Sequence, residues 1–131
     1  MKKLGILNKE LSKVIASMGH GDYLAISDAG LSIPENVKMI DISVYKNIPR
    51  FLDVLTAVLT ELKIDKVFIA KEMKVNNSQV LNKIKDLLNN IEIEEISHKK
   101  FKEKVSSVKA IVRTGEFTSY SNIILVSGVV F

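Results

Sequence analysis

Apolar residues first recur at helical spacing over 9–18, where Leu11, Val14, Ile15 and Met18 share one stripe. Asn8 is a good N-cap for that segment, Glu10 suits the positive helix start, and Gly19 suits the stop. Tyr23–Ser27 is short and apolar and reads as a strand, closed by the turn signal Asp28-Ala29-Gly30. A second strand is predicted over Val37–Ile42, with Val37, Met39 and Asp41 on one face. Pro49 is placed to open a helix carrying Phe51, Leu52, Leu55, Val58, Leu59 and Leu62. Lys66–Ala70 reads as a buried strand. Asn77 or Ser78 caps a following helix with Val80, Leu81, Ile84, Leu87 and Leu88 as its stripe.

Ile91–Ile96 alternates apolar and acidic residues, the pattern of a half-exposed strand. A short helix near His98–Lys104 comes next, then strands over Val108–Val112 and Ile123–Val130. Strands alternating with helices predict a single α/β domain over 1–131. It has three layers, with a mixed, mostly parallel sheet flanked by helices. No helix separates the last two strands, so the antiparallel pairing is expected at an edge. The long apolar C-terminal strand is expected in the core or in a subunit interface.

The 131 residues are 47% hydrophobic and 26% charged, which excludes a disordered chain. Absence of cysteine removes disulfides, thiolate metal sites and a cysteine nucleophile. It fits a reducing compartment. No apolar run approaches the ~20 residues of a membrane span, and the polar residues from Asn8 to Lys13 break any signal-peptide core. A cytoplasmic protein is expected. The net charge of +4 raises nucleic acid as a partner. Its lysines are scattered among acids, and aromatic residues are only 6%, so no nucleic-acid partner is expected. The densest cluster, Lys99, Lys100, Lys102 and Lys104, reads as a solvated helix face.

No P-loop, nucleophile elbow, H-E-x-x-H or G-x-G-x-x-G is present. The two histidines, His20 and His98, ask for no metal by their spacing. Four polar segments stand at predicted element ends, where ligands of α/β sheets bind. They are Gly19-His20-Gly21-Asp22, Ser27-Asp28-Ala29-Gly30, Ser97-His98 and the run from Arg113 to Asn122. Each has a plain structural reading. His20 suits a helix C-cap, Asp28 a turn, His98 a capped surface helix, and 114–122 a polar crossover. Arg113 and Glu116 read as an ion pair bracing the loop or as ligand contacts. Lys71 and Glu72 are similarly open.

Taken together, these segments resemble the D-ribose pyranase (ribose mutarotase) family, whose relatives include fucose mutarotases. The resemblance runs along the whole chain. It rests on Met1-Lys2-Lys3-Leu4-Gly5-Ile6-Leu7-Asn8, Gly19-His20-Gly21-Asp22, Asp28-Ala29-Gly30-Leu31, Arg113-Thr114-Gly115-Glu116-Phe117-Thr118 and Gly128-Val129-Val130-Phe131. It implies interconversion of the pyranose and furanose rings of D-ribose, with no metal or cofactor. It also implies a closed homo-oligomer, commonly a decamer of two pentameric rings with sites between subunits, that accompanies a ribose uptake and phosphorylation system. The position matching the catalytic histidine is His20. Those matching sugar-binding residues are Asp28, His98, Tyr120, Ser121 and Asn122.

The chain departs from the family at Ser32, often proline there, and at Ser119-Tyr120-Ser121-Asn122, usually Pro-Tyr-Ala-Asn. Losing the proline makes that loop less rigid. The chemistry suits the residues. Ring opening needs a proton taken from the anomeric hydroxyl and one given to the ring oxygen. An unperturbed imidazole, titrating near pH ~6.5, does both. The competing readings are a non-catalytic sugar-binding or regulatory protein, and a purely structural ring protein.

Overall fold

The first predicted helix forms over Lys9–Ser17 (α1), and its start is set by the sequence. Asn8 lies in extended backbone, and its Oδ1 accepts from Leu11 N–H at 2.9 Å. That satisfies one of the first turn's free donors. The stop differs from expectation. Met18 ends the helix by turning extended, and the left-handed residue is Gly21 rather than Gly19.

The computed structural model describes residues 1–131. After α1 come β1 (Tyr23–Ser27), β2 (Met39–Asp41), α2 (Phe51–Leu59), β3 (Ile64–Ala70), α3 (Met73–Asn76) and α4 (Ser78–Leu88). The chain then forms β4 (Glu92–Ile96), α5 (His98–Val105), β5 (Ala110–Arg113) and β6 (Ile123–Ser127). Two helix starts correct the sequence reading. Pro49 stands outside α2, whose N-cap is Arg50; Asp53 accepts from Arg50 N–H at 3.1 Å. Asn77 holds the N-cap position of α4, but its side chain caps nothing and reaches across the molecule instead. The one-turn α3 is absent from the sequence reading, because four residues carry too little periodicity to register.

The six strands form one sheet in the order β2-β5-β1-β6-β3-β4. β6 is antiparallel to both neighbours, β1 and β3, while the other pairings are parallel. The sheet is therefore mixed and mostly parallel, as expected, but its antiparallel strand is central rather than at an edge. The reason lies in Ile123-Ile124-Leu125, which is apolar on both faces and fully buried. Only a strand covered on both sides hides such a run. The strand ends at Ser127, three residues earlier than expected. Val130 and Phe131 project into solvent.

The pleat divides the core. Leu24 and Ile26 face a cluster of 23 buried residues that takes in Leu11 of α1, Phe51 and Leu55 of α2, and Leu81 and Ile84 of α4. Ala25 faces a second cluster of only 8, built on Phe101 and Val105 of α5. Helices thus cover both faces, giving the three layers predicted, but α5 alone covers one of them. No helix is long and apolar enough to cross a membrane.

The 114–122 segment takes its path from the strand order. β5 and β6 flank β1, so the chain between them must pass over the carboxyl end of β1. Thr114 fastens it there, donating to Ser27 O from both N–H (3.1 Å) and Oγ1 (2.8 Å).

Candidate active site

The carboxyl ends of β1, β4 and β5 and the amino end of β6 meet at one edge of the sheet. A cleft of about 540 Å³ opens there. Asp28, His98, Tyr120 and Asn122, four of the residues to which the resemblance points, line it together with Lys102, Arg113 and Glu116.

Asp28 comes directly after β1 and is buried. Its Oδ1 accepts from Gly30 N–H at 2.9 Å, the Asx turn that Asp28-Ala29-Gly30 encodes. Its Oδ2 accepts from Asn122 Nδ2 at 3.0 Å, and its N–H donates to Asn122 Oδ1 at 2.9 Å. Burial pushes the Asp28 carboxyl above its ordinary range, opposed by the N–H of Gly30, the Asn122 amide, the N–H of Leu31 and the neighbouring His98. Asp28 makes the turn its local sequence encodes and also faces the cleft.

His98 opens α5, capped by Ser97, whose Oγ accepts from Lys100 N–H at 3.2 Å. Its ring meets Tyr120 edge to face, with centroids 5.2 Å apart at 82°. Its Nδ1 is buried without a hydrogen-bond partner, so the ring meets the cleft through its other atoms. Glu72 resolves in the structure as a brace for this residue, its Oε2 accepting from His98 N–H at 3.0 Å. Its carboxyl sits below the ordinary range, held chiefly by its own backbone N–H and then by that of His98. Tyr120 takes a left-handed backbone (φ 61°), which turns the chain so that Asn122 N–H donates to Tyr120 O at 2.9 Å.

Ser121 is buried and does not line the cleft. Its Oγ accepts from Asn77 Nδ2 at 2.9 Å, and Asn77 also donates to Ser119 O at 3.0 Å. Asn77 therefore ties down the loop at Ser119 and Ser121.

Arg113 and Glu116 do not pair with each other, which corrects one of the two readings open for them. Arg113 donates from Nη1 to Asp41 Oδ2 (3.0 Å) and Ser43 Oγ (2.9 Å), and from Nε and Nη2 to Ala29 O. It knits the turn after β1 to the edge strand β2. Glu116 is buried; it accepts from Phe51 N–H at 3.3 Å at the start of α2, and from Thr118 Oγ1 at 3.0 Å. Lys102 belongs to the cluster that reads as a solvated face, yet it lines the cleft. The signal that finds it is spacing, because it lies four residues after His98 and shares its face of α5.

His20 is elsewhere. It precedes β1, so the length of that strand, about 15 Å, separates it from Asp28. Its side chain is 65% exposed, and its Nε2 lies 3.2 Å from Asp65 Oδ2. It is not a helix C-cap residue, because α1 ends before it. No three His, Asp or Glu side chains converge as metal ligands would, in the cleft or outside it.

A buried acid–amide pair, an imidazole, a tyrosine and a lysine around a cleft this size suit a small polyhydroxylated ligand. The fold and this cleft define a three-layer α/β protein with a small-molecule site at the carboxyl edge of its sheet. More narrowly, the chain belongs to the RbsD / FucU transport protein family, which it matches over residues 1–130. It is 50% identical to D-ribose pyranase of Oenococcus oeni and 51% identical to that of Clostridium tetani, over the full length of both chains in each case. Among solved structures it is similar to Bacillus subtilis RbsD complexed with D-ribose, with TM-score 0.97 and 43% identity over all of both chains. The fucose mutarotase of Streptococcus pneumoniae in complex with L-fucose gives TM-score 0.81 and 25% identity over 95% of each.

Proposed function

We propose that this chain is a D-ribose pyranase, an enzyme that opens and recloses the hemiacetal of D-ribose to exchange its pyranose and furanose forms. The observation that carries this reading is the cleft itself. A buried Asp28–Asn122 pair faces His98 and Tyr120 in a chain about half identical, end to end, to D-ribose pyranases. Asp28 and Asn122 bind sugar hydroxyls, His98 and Tyr120 fix the remaining ones, and Ser121 contributes by holding the loop through Asn77. No covalent bond to the protein is needed, only proton transfer at the anomeric hydroxyl and at the ring oxygen.

His20 is the proton donor and acceptor, and it acts in the cleft of a neighbouring subunit. One chain carries the imidazole and the cleft at opposite ends of β1, so a complete site requires two copies. The assembly is a homo-oligomer of closed rings, a decamer of two pentamers in the form the family resemblance implies. General acid–base catalysis by a positioned group contributes about 10²–10⁴-fold, enough for a reaction that already proceeds unaided.

Saturation transfer between the anomeric protons of ribopyranose and ribofuranose tests this directly. The protein is expected to accelerate exchange, and His20→Ala to abolish the acceleration without loss of assembly. Ribose line broadening with no faster exchange would replace the enzyme by a sugar-binding protein.

A further inference from the structure

His20 and Asp65 form an exposed pair whose own attraction does not account for the backbone arranged around it. Their side chains are 65% and 43% exposed, and exposed pairs of this kind contribute little to folding. Yet three separate pieces of backbone converge on them. First, Asp65 is the extra residue of an irregularity in the β3–β6 ladder, where Ile64 pairs with Ser127 and Lys66 with Val126. Such bulges re-aim a side chain. Second, glycine at position 128 leaves room for the Asp65 carboxyl group, which a Cβ there would overlap. Gly128 is itself fixed, its N–H donating to Lys63 O at 2.8 Å. Third, the His20 loop is stapled to the same strand end. Gly21 N–H donates to Ser127 O at 2.8 Å, and Ser127 N–H donates to Asp22 O at 2.9 Å. Asp22 in turn accepts from Gly19 N–H at 2.8 Å and pairs with Lys109 Nζ at 2.9 Å. The imidazole and the carboxylate are thus anchored independently to the end of β6.

We infer that Asp65 is a positioning residue for His20, taking the Nε2 side of the ring and leaving Nδ1 as the nitrogen that exchanges a proton with substrate. In a neutral imidazole one nitrogen donates and the other accepts, and the bond made by one decides the role of the other. A carboxylate oxygen 3.2 Å from Nε2 favours the proton there. An ion-pair contact at that distance also biases the exposed ring toward the orientation in which Nδ1 faces away from Asp65. This rests on the proposed role of His20 and adds the group that orients it.

The test compares Asp65→Ala and Asp65→Asn in the intact oligomer. Asp65→Ala is expected to lower kcat about 5- to 20-fold with KM for ribose within about twofold, since the proposed role of Asp65 acts through His20. Asp65→Asn keeps a carbonyl acceptor and should recover part of the loss. A second readout needs no turnover. The ¹⁵N shift separation of the two His20 ring nitrogens, measured in the neutral state, should narrow toward that of free imidazole in Asp65→Ala. A kcat unchanged in Asp65→Ala, or a loss confined to KM, overturns the inference. Gly128→Ala guards against a folding artefact, because it displaces the carboxylate without deleting it and should lower kcat in the same direction. Activity that falls in His20→Ala but not in Asp65→Ala overturns only the positioning role. Activity that survives His20→Ala overturns the catalytic reading as well.

Discussion

The carboxamide of Asn122 closes on Asp28 from two directions, its Oδ1 accepting from Asp28 N–H at 2.9 Å and its Nδ2 donating to Asp28 Oδ2 at 3.0 Å. The pair joins the carboxyl end of β1 to the amino end of β6 in the middle of the sheet, across 94 residues of sequence. It also presets the cleft, because an acid held in one rotamer offers its free lone pairs in one direction.

Asn122→Ala leaves both partners buried and unpaired. A group stranded in this way costs about 1–3 kcal/mol, so melting is expected to fall by several degrees. Ribose binding should weaken by more than the melting shift alone implies, since Asp28 is then free to rotate away. Thermal melts and a ribose titration check both expectations. Unchanged melting would mean that the acid–amide pair does not support the fold.

Asp28 also predicts a pH dependence. Burial raises its carboxyl above the ordinary 3.8, so the folded state holds that proton more tightly than the unfolded chain. The stability it contributes is complete below 3.8 and is lost as pH rises through the raised native value. Asp22, Asp41 and Glu72 run the other way: each is lowered, so each supports the fold above its ordinary value and ceases to as pH falls. The whole-protein curve therefore mixes signs. Subtracting Asp28→Asn isolates the first, because the amide has no charge to bury. Its altered hydrogen bonds add only a constant offset. Urea midpoints taken from acid to neutral pH should show the variant gaining on wild type across that window. A difference that stays flat with pH would show that Asp28 does not titrate with folding.

Arg113 is expected to control affinity rather than turnover. Its guanidinium spans Ala29 O, Asp41 and Ser43, fixing the turn that carries Asp28 and Gly30. A lysine cannot make this fork of donors. Arg113→Lys should therefore raise KM several-fold and leave kcat within about twofold. A fall in kcat at constant KM would instead place Arg113 among the reacting groups.

Periodicity and turn chemistry carry most of this architecture. The Asn8 cap, the β1 strand and its Asp28-Ala29-Gly30 turn, and the Ser97 cap of α5 are all local, and all are present as read. What the pattern misses is non-local. No local signal says that β6 slips between β1 and β3, because strand order depends on which partner buries both of its faces. The same holds in the site. Asp28 and Asn122 each stand out in the sequence, but their mutual bond arises from the crossover above β1. Arg113 and Glu116 lie close in sequence, which suggests a pair, whereas a strand end and a helix start claim them separately. Lys102 and Asn77 carry only weak local signals, helical spacing from His98 and a cap position; the packing of α5 and the 114–122 loop gives them their place.

The separation of His20 from the cleft makes the sharpest prediction about assembly. If a site takes its imidazole from one subunit and Asp28 and Asn122 from the next, two variants assayed at ribose low enough that each is inactive alone can complement each other. His20→Ala retains a sound cleft, and Asn122→Ala retains a sound imidazole. Mixed by joint refolding, the two chains populate the ring at random. A site is then complete when one neighbour supplies an intact His20, half the time, and the other an intact cleft, half the time. Activity should return to about a quarter of wild type, in proportion to these random pairings. A site built within one chain gives a different result, because every chain in the mixture carries a lesion and no combination repairs it. The control is the double variant, His20→Ala with Asn122→Ala, mixed with wild type, which should retain about a quarter of the activity for shared sites and about half for sites within a chain. Recovery in the first mixture with a quarter in the second assigns His20 to the neighbouring subunit. No recovery in the first, with half in the second, would require the loop around Gly21 to swing His20 along its own β1 to reach Asp28. The bonds tying Gly21 and Asp22 to Ser127 oppose such a movement.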